Sequence, residues 1–176
     1  RIVIGAHQVD NAMTALGVLS ALLDGHCLPA AAIQKGLEQA QWPGRLEWLG
    51  NVLIDGAHNP QGAQTVRDYV QHFLKDRRIV LLTGMMADKD VRSYADRIAP
   101  LADEIHCVAP EHIPRAMPAN ELAALYRERT EKPVFEWEET EQALSAAQKS
   151  AGEQGVVLIC GSLYLAGEIR RLLIAE

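Results

Sequence analysis

The fold can be read outward from one strand-to-helix turn, Val52-Leu53-Ile54-Asp55-Gly56-Ala57-His58-Asn59-Pro60. Its three leading apolar residues predict a short buried strand that ends at Asp55. Asn59 is a favoured N-cap residue and Pro60 is favoured at the first position of a helix, so a helix is predicted to begin there. A buried strand that passes directly into a helix is typical of a parallel β-α-β sheet.

The same alternation continues from residue 46 to the end of the chain. Amphipathic helices separate the predicted strands, which are 46–49, 52–54, 79–82, 105–108, 134–137 and 156–160. Gly50-Asn51 predicts a tight hairpin turn, so the first of these strands should pair antiparallel with the second. The repeats predict an α/β fold with a Rossmann-like, mostly parallel sheet flanked by helices.

The beginning of the chain has a purely helical pattern. Apolar residues from Ala12 to Leu23 recur at three- and four-residue spacing, and a second short helix is predicted around Ile33. Two such helices cannot bury their own apolar faces, so we expect them to dock on a domain upstream of this sequence. The predicted division is therefore 1–42, the last helices of that upstream domain, and 43–176, an α/β domain.

The amino-acid composition limits which classes of protein and which partners fit this sequence. Apolar residues make up 48% of the 176 residues, a globular proportion, and no apolar run is long enough for a membrane span or a signal peptide. The formal net charge of −6 disfavours nucleic acid and anionic membranes as partners. Cys27, Cys107 and Cys160 are far apart in sequence and are predicted to be buried thiols of a cytoplasmic protein.

The unusual polar residues follow the predicted strands. Ligands of open parallel sheets bind beyond the carboxyl ends of the strands. Asp55 and His58 leave the first parallel strand together, and Ser162 follows the last strand, where a hydroxyl and a helix N-terminus suit a carboxylate or phosphate. Arg45 follows a Pro-Gly turn at the domain junction and suits a phosphate, and Lys89 in a loop suits an anion.

Each of these residues also has a structural interpretation. Asp55 and His58 could satisfy backbone groups of the turn, and Ser162 could be a simple N-cap. Arg45 could form a surface salt bridge, and Lys89 could be a solvated loop residue.

Five blocks of the sequence together resemble one family, in the order in which that family carries them. They are His7-Gln8-Val9-Asp10-Asn11-Ala12, Trp42-Pro43-Gly44-Arg45-Leu46-Glu47, Asp55-Gly56-Ala57-His58-Asn59-Pro60, Asp88-Lys89-Asp90 and Gly161-Ser162-Leu163-Tyr164-Leu165. The chain resembles the C-terminal portion of folylpolyglutamate synthase, in bacteria often bifunctional with dihydrofolate synthase and a relative of the Mur ligases. The resemblance covers nearly all 176 residues.

The resemblance implies an ATP-dependent ligase with Mg²⁺ as a further cofactor. In such an enzyme a carboxylate of a folate or dihydropteroate substrate becomes an acyl phosphate, and the amine of L-glutamate attacks it to form an amide. Carried over to this sequence, Asn11 would bind adenine, Arg45 the ATP phosphates and Asp55 the ribose. His58 and Ser162 would bind glutamate, with His58 as the catalytic residue.

The resemblance also implies what this sequence does not contain. No G-x-x-x-x-G-K-[ST] phosphate loop occurs in the 176 residues, and the metal ligands of the family lie in its central ATP-binding domain. Residues 1–42 would be the last helices of that central domain, and the domain itself would be the partner of 43–176. The 176 residues alone are therefore expected to be inactive.

Three other functions compete with this interpretation. A muramyl-type amino-acid ligase would share the fold, although it usually departs from the Asp-Gly-Ala-His-Asn-Pro wording. A nucleotide-binding α/β module without chemistry would use the same nucleotide contacts. A serine hydrolase would use Ser162 with His58 and Asp55, but the sequence lacks a G-x-S-x-G elbow and has the opposite chain order.

Overall fold

The computed structural model describes residues 6–23, 28–40 and 42–175, with side chains from residue 9 onward. Its helices are α1 (Ala6–Leu22), α2 (Ala30–Gln39), α3 (Pro60–Phe73), α4 (Val91–Ile98), α5 (Ala119–Arg127), α6 (Thr140–Ala151) and α7 (Leu163–Ile174). Its strands are β1 (Glu47–Leu49), β2 (Val52–Ile54), β3 (Ile79–Thr83), β4 (Glu104–Val108), β5 (Val134–Trp137) and β6 (Val156–Cys160). A short 3-10 helix, Ala99–Leu101, follows α4.

The six strands form one sheet in the order β1-β2-β6-β3-β4-β5. Only β1 runs antiparallel to its neighbour, and it joins β2 through Gly50, whose φ of 61° suits a tight hairpin turn. The other neighbouring pairs are parallel. The predicted mostly parallel α/β sheet is therefore confirmed, including the antiparallel first strand.

The sheet is buried because helices cover it. The central strands β2, β3 and β6 have every residue buried, which is typical of parallel strands with both faces covered. One face packs on α6 and α7 through a cluster that includes Val80, Ile159, Leu144 and Ile169. Strand residues between them, such as Leu81, point to the other face, in the direction of α3, α4 and α5.

Helix α3 begins where the sequence predicts. The side chain of Asn59 accepts a hydrogen bond from the N–H of Gly62, and Pro60 occupies the first helical position. Its buried face includes Ala63, Val66 and Val70. The cap and the apolar stripe together fix the direction in which the chain leaves β2, and so they position the turn that precedes the helix.

The chain divides into two compact units, residues 1–43 and 44–176. In the first unit, α1 and α2 expose apolar side chains that include Met13, Val18 and Leu22. The second unit holds the whole sheet and helices α3 to α7. Among the described residues, no helix is both long and apolar enough to cross a membrane.

Candidate active site

Three loops meet at the carboxyl edge of the sheet. They follow β2, β3 and β6, which are neighbours in the sheet although they are distant in sequence. The N–H of Gly161 donates to the carbonyl of Ala57 at 2.7 Å, which ties the loop after β6 to the loop after β2. Gly161 has a φ of 113°, and a Cβ there would lie 2.6 Å from Oγ1 of Thr83 at the end of β3. Only glycine allows these three loops to approach so closely.

Asp55 organises the turn after β2. It is 6% exposed, and its two carboxylate oxygens accept hydrogen bonds from the N–H groups of Leu46 at 3.0 Å and Ala57 at 2.8 Å. The structural interpretation of Asp55, that it satisfies backbone groups of the turn, is therefore correct, because its carboxylate bridges two backbone segments. Its position fixes both the turn and the segment before β1.

Arg45 lies in the segment that Asp55 fixes. Its neighbours Gly44 and Leu46 both have positive φ values, 71° and 46°. A positive φ is rare for a residue such as Leu46 that has a side chain. The carbonyl of Gly44 accepts from the N–H of Gly56 at 2.7 Å, which adds a second tie to the turn after β2. Arg45 itself is exposed. A permanently charged fork is thus presented to solvent on a fixed backbone.

His58 is half-buried and points its ring back to its own turn. Its Nδ1 lies 2.9 Å from the carbonyl oxygen of Gly56, so Nδ1 carries the proton and donates it. In the neutral ring Nε2 is then the nitrogen that can accept a hydrogen bond. In a serine hydrolase, Nδ1 would instead donate to the carboxylate of the triad, so this geometry does not fit the hydrolase alternative.

Ser162 begins α7. Its side chain accepts a hydrogen bond from the N–H of Tyr164 at 3.1 Å and is 1% exposed. The structural interpretation of Ser162 as an N-cap is therefore correct, and the hydroxyl still has a proton to donate. The next residue, Leu163, packs against Gly56, where a Cβ would lie 2.2 Å from a Leu163 methyl group.

His58 and Ser162 line one pocket. The cavity is small, with a volume of about 90 Å³. The other residues that line the pocket are Met86, Lys89, Arg115, Leu163 and Tyr164.

Two cationic side chains, Lys89 and Arg115, line the pocket, and the sequence predicted an anion-binding role only for Lys89. Lys89, which could have been a solvated loop residue, lines the pocket with its Nζ 4.0 Å from a carboxylate oxygen of Asp88. Arg115 was not among the sequence-based candidates. Its guanidinium lies 3.3 Å from Asp88 and 5.7 Å from the centre of the Tyr164 ring, and the Tyr164 hydrogen bond and the Asp88 charge raise the pKa of Arg115.

Asn11, the remaining sequence-based candidate, belongs to the first unit. It lies on α1, between Ala6 and Leu22, and its side chain is exposed. The other candidates, Arg45, Asp55, His58, Lys89 and Ser162, belong to the second unit.

The chain offers neither a metal centre nor a reactive thiol within the described residues. No three His, Cys, Asp or Glu residues of those ranges converge as metal ligands. Cys107 and Cys160 are buried and free, and burial raises the pKa of each thiol to about 12. Both therefore stay protonated near neutral pH, as predicted for structural thiols, whereas Cys27 lies outside the described residues.

Solved structures with the same fold include nucleotide complexes. Folylpolyglutamate synthase of Mycobacterium tuberculosis, complexed with ADP and AMPPCP, superposes with a TM-score of 0.89 at 29% identity, over 96% of this chain and 40% of that one. The corresponding Escherichia coli enzyme, in complex with DHPP and ADP, gives a TM-score of 0.84 at 28% identity, over 94% of this chain and 39% of that one.

Sequence comparison gives the same group of relatives. Folylpolyglutamate synthase of Lacticaseibacillus casei is 34% identical over 145 residues, which are 81% of this chain and 32% of that protein. Dihydrofolate synthase/folylpolyglutamate synthase of Bacillus subtilis is 32% identical over 178 residues, 97% of this chain and 40% of that protein. The chain thus spans about a third to two fifths of the length of these relatives.

The sequence-based resemblance to folylpolyglutamate synthase is confirmed by these relatives. The family described as "Mur ligase, glutamate ligase domain" matches residues 44–163, which include the sheet, the turn after β2 and every residue that lines the pocket except Tyr164. Its match begins at the first residue of the second compact unit. The chain belongs to the Mur ligase glutamate ligase domain family.

Proposed function

We propose that the chain acts as the glutamate-ligase part of an ATP-dependent folylpolyglutamate synthase/dihydrofolate synthase. The reaction joins a folate or dihydropteroate carboxylate to the amine of L-glutamate. The observation that carries the proposal is the pocket lined by His58, Ser162, Lys89 and Arg115, because it combines hydrogen-bonding groups with two cations at the ligand-binding edge of the sheet.

Glutamate matches this pocket in charge and in hydrogen-bonding groups. It brings two carboxylates and one amine, and the pocket offers cations, a hydroxyl and an imidazole. Ser162 can donate its hydroxyl proton to a carboxylate. His58, whose Nδ1 is held by Gly56, presents Nε2 as an acceptor for an N–H of the amine. In this role His58 orients the nucleophile and is the catalytic residue of the chain.

The amide-forming step follows from this orientation. When bound, ATP supplies the phosphoryl group that turns the folate carboxylate into an acyl phosphate. The glutamate amine then forms a C–N bond to the acyl carbon, the C–O bond to phosphate breaks so that inorganic phosphate leaves with the bonding electrons, and the leaving phosphate takes up the proton that the amine loses. By holding the amine along one direction, His58 lowers the entropic part of the barrier.

ATP contacts are proposed for three residues. Arg45 would bind the phosphates, which its exposed, permanently charged fork suits. Asn11 would bind adenine. Asp55 would bind ribose while its carboxylate holds the N–H groups of Leu46, next to Arg45, and of Ala57.

Mg²⁺ is proposed to bind outside the residues described here. The described residues do not bring three metal ligands together, so no step is assigned to a metal held by them. The central ATP-binding domain of the family is the proposed source of those ligands and of the phosphate loop. The 176 residues alone are accordingly proposed to be inactive, and the setting to be cytoplasmic, without nucleic acid or membrane as a partner.

The experiment that tests the proposal measures substrate choice. The protein is expressed from its complete reading frame and given ATP, Mg²⁺ and labelled L-glutamate with dihydropteroate, tetrahydrofolate or a UDP-muramyl peptide precursor. The expected product is a pterin that is heavier by one glutamyl residue and forms only with ATP. Glutamate joined to the muramyl precursor alone would instead support the muramyl-type ligase. ATP binding without any product would support the module that lacks chemistry.

A further inference from the structure

We propose that Arg115 binds a carboxylate of the incoming amino acid and thereby sets the preference of the site for an acidic substrate. The proposal rests on the proposed function and deepens it, because it names the side chain that recognises the substrate's charge. It is carried by the backbone that holds Arg115, by the contacts of its guanidinium and by the charge of the pocket.

The backbone of Arg115 is anchored to the loop after β3. The carbonyl of Arg115 accepts from the N–H of Ala87 at 2.9 Å, and the N–H of Met117 donates to the carbonyl of Met85 at 2.8 Å. Between these bonds, Met86 and Ala116 form an isolated antiparallel bridge. Arg115 is therefore held at the pocket by regular backbone pairing, although it lies far along the chain from the other pocket residues.

The side chain of Arg115 is oriented but accessible. Asp88 lies 3.3 Å from Nη1, the Tyr164 ring lies 5.7 Å from the guanidinium carbon, and half of the side chain is exposed. A guanidinium has five N–H donors in a planar fork, so the contact at Nη1 leaves donors for a second carboxylate. The distance to the Tyr164 ring is within the range of a cation–π contact, which gives the guanidinium a second point of contact at the pocket.

The charge of the pocket favours an anion. Lys89 and Arg115 are both cations, and Asp88 is the carboxylate that contacts them. This excess of positive charge stands in a chain whose formal net charge is −6. Hydrogen bonds from a guanidinium to a carboxylate are about twice as strong as those between neutral groups. A substrate carboxylate that displaces water from Arg115 would therefore be bound favourably.

A purely structural role for Arg115 predicts a different result. Its ion pair with Asp88 is 51% exposed on both sides, and exposed pairs contribute little to stability. If the guanidinium only forms a surface ion pair, its removal changes neither the melting temperature nor the KM for the substrate. If it binds substrate, removal changes substrate use while the melting temperature stays the same.

The test compares Arg115→Ala and Arg115→Lys with wild type, in the protein expressed from its complete reading frame. Arg92→Ala is the matched control, because Arg92 also lies on the surface with a carboxylate, Glu128, 3.6 Å away but does not line the pocket. We expect Arg115→Ala to raise the KM for L-glutamate by at least tenfold while the KM for ATP changes by less than about twofold, in line with the loss of one charged hydrogen bond. Arg115→Lys should give an intermediate KM, and Arg92→Ala the wild-type value.

L-glutamine shows which carboxylate is bound. A parallel rise of KM for glutamine in Arg115→Ala assigns Arg115 to the carboxylate next to the amine, and a rise for glutamate alone assigns it to the side-chain carboxylate. Either result supports the proposal. An unchanged glutamate KM in an active Arg115→Ala protein overturns it and leaves the proposed function intact, whereas a wild-type protein that ligates no glutamate overturns the proposed function itself.

Discussion

At the residue scale, Gly161 is the residue at which the three loops of the site meet. Its φ of 113° is unfavourable for any side chain, and a Cβ would lie 2.6 Å from Oγ1 of Thr83 and 2.7 Å from the carbonyl oxygen of Gly84. We predict that Gly161→Ala lowers the free energy of unfolding by more than about 1 kcal/mol. Gly167→Ala is the control, because nothing lies within 4 Å of a Cβ in that helical position. It should be stabilising by up to about 1 kcal/mol.

Urea unfolding of both variants measures the difference. The account requires the two substitutions to change stability in opposite directions, although both replace glycine by alanine within the same strand-to-helix segment. Equal unfolding midpoints for the two variants would show that the three loops do not need glycine at residue 161.

Asp55 is predicted to be structural as well as functional. Asp55→Ala leaves the buried N–H groups of Leu46 and Ala57 without the carboxylate, at a cost of roughly 1–3 kcal/mol for each. We therefore expect a lower melting temperature together with a higher KM for ATP. Thermal melting followed by steady-state kinetics on the folded fraction separates the two effects. A wild-type melting temperature in Asp55→Ala would contradict the observed role of its carboxylate.

At the element scale, two helix caps allow a ligand contact to be separated from a capping contact. Ser162 caps α7 and lines the pocket, whereas Asn59 caps α3 and does not line it. Ser162→Ala and Asn59→Ala should each cost about 1 kcal/mol of stability. Only Ser162→Ala should also raise the KM for L-glutamate. Equal glutamate KM values in the two variants would make Ser162 a cap alone.

Strands β4 and β5 share a polar network centred on the buried side chain of His106. His106 is 2% exposed, and its Nε2 lies 2.8 Å from a carboxylate oxygen of Glu104. Its Nδ1 accepts from the indole N–H of Trp137 at 2.9 Å. Glu104 also accepts from the hydroxyl of Ser150 and from Arg78. Burial lowers the pKa of His106 despite the Glu104 contact.

This network predicts how stability depends on pH. Because the folded-state pKa of His106 is below the ordinary value of about 6.5, the unfolded chain binds more protons there, and stability is lost as pH falls below that value. His106→Gln should therefore show a shallower loss of unfolding free energy between pH 7 and pH 5.5. Urea titrations at the two pH values measure it, and the same pH dependence in both proteins would contradict the assignment.

Local patterns explain how much of the sheet could be predicted. The apolar runs at 52–54 and 156–160 and the Asn59-Pro60 helix start are local signals, and the structure has those elements where the sequence predicts them. Asp55 was identified as a site residue, but its burial was not predicted, because its partner Leu46 lies across a hairpin.

Arg115 and His106 could not have been recognised in the same way. Arg115 reaches the pocket through pairing of its segment with the loop after β3, and no local spacing reports such long-range pairing. The network around His106 depends on Trp137, which donates to His106, and on Ser150, which donates to Glu104, and these residues come from two other elements. A sequence motif can identify functional residues that lie in one turn. The contacts of Arg115 and His106 join residues that are distant in sequence and come together only when the chain folds.

At the scale of the whole molecule, different residues are assigned to the two substrates ATP and glutamate. Arg45, on the segment fixed by Asp55, is assigned to ATP, and His58, in the pocket, is assigned to glutamate. These assignments predict that a substitution at one of the two residues leaves the KM for the other residue's substrate unchanged. A site in which both residues only support the fold would respond to either change in the same way.

The most direct test is a pair of kinetic measurements on Arg45→Lys and His58→Ala in the protein expressed from its complete reading frame, with melting curves as the control for folding. Arg45→Lys keeps the charge but loses the fork, so it should raise the KM for ATP about tenfold or more and leave the KM for glutamate unchanged. His58→Ala should raise the KM for glutamate or lower kcat, and leave the KM for ATP unchanged. Wild-type constants in both variants, or equal changes for both substrates, would contradict the account.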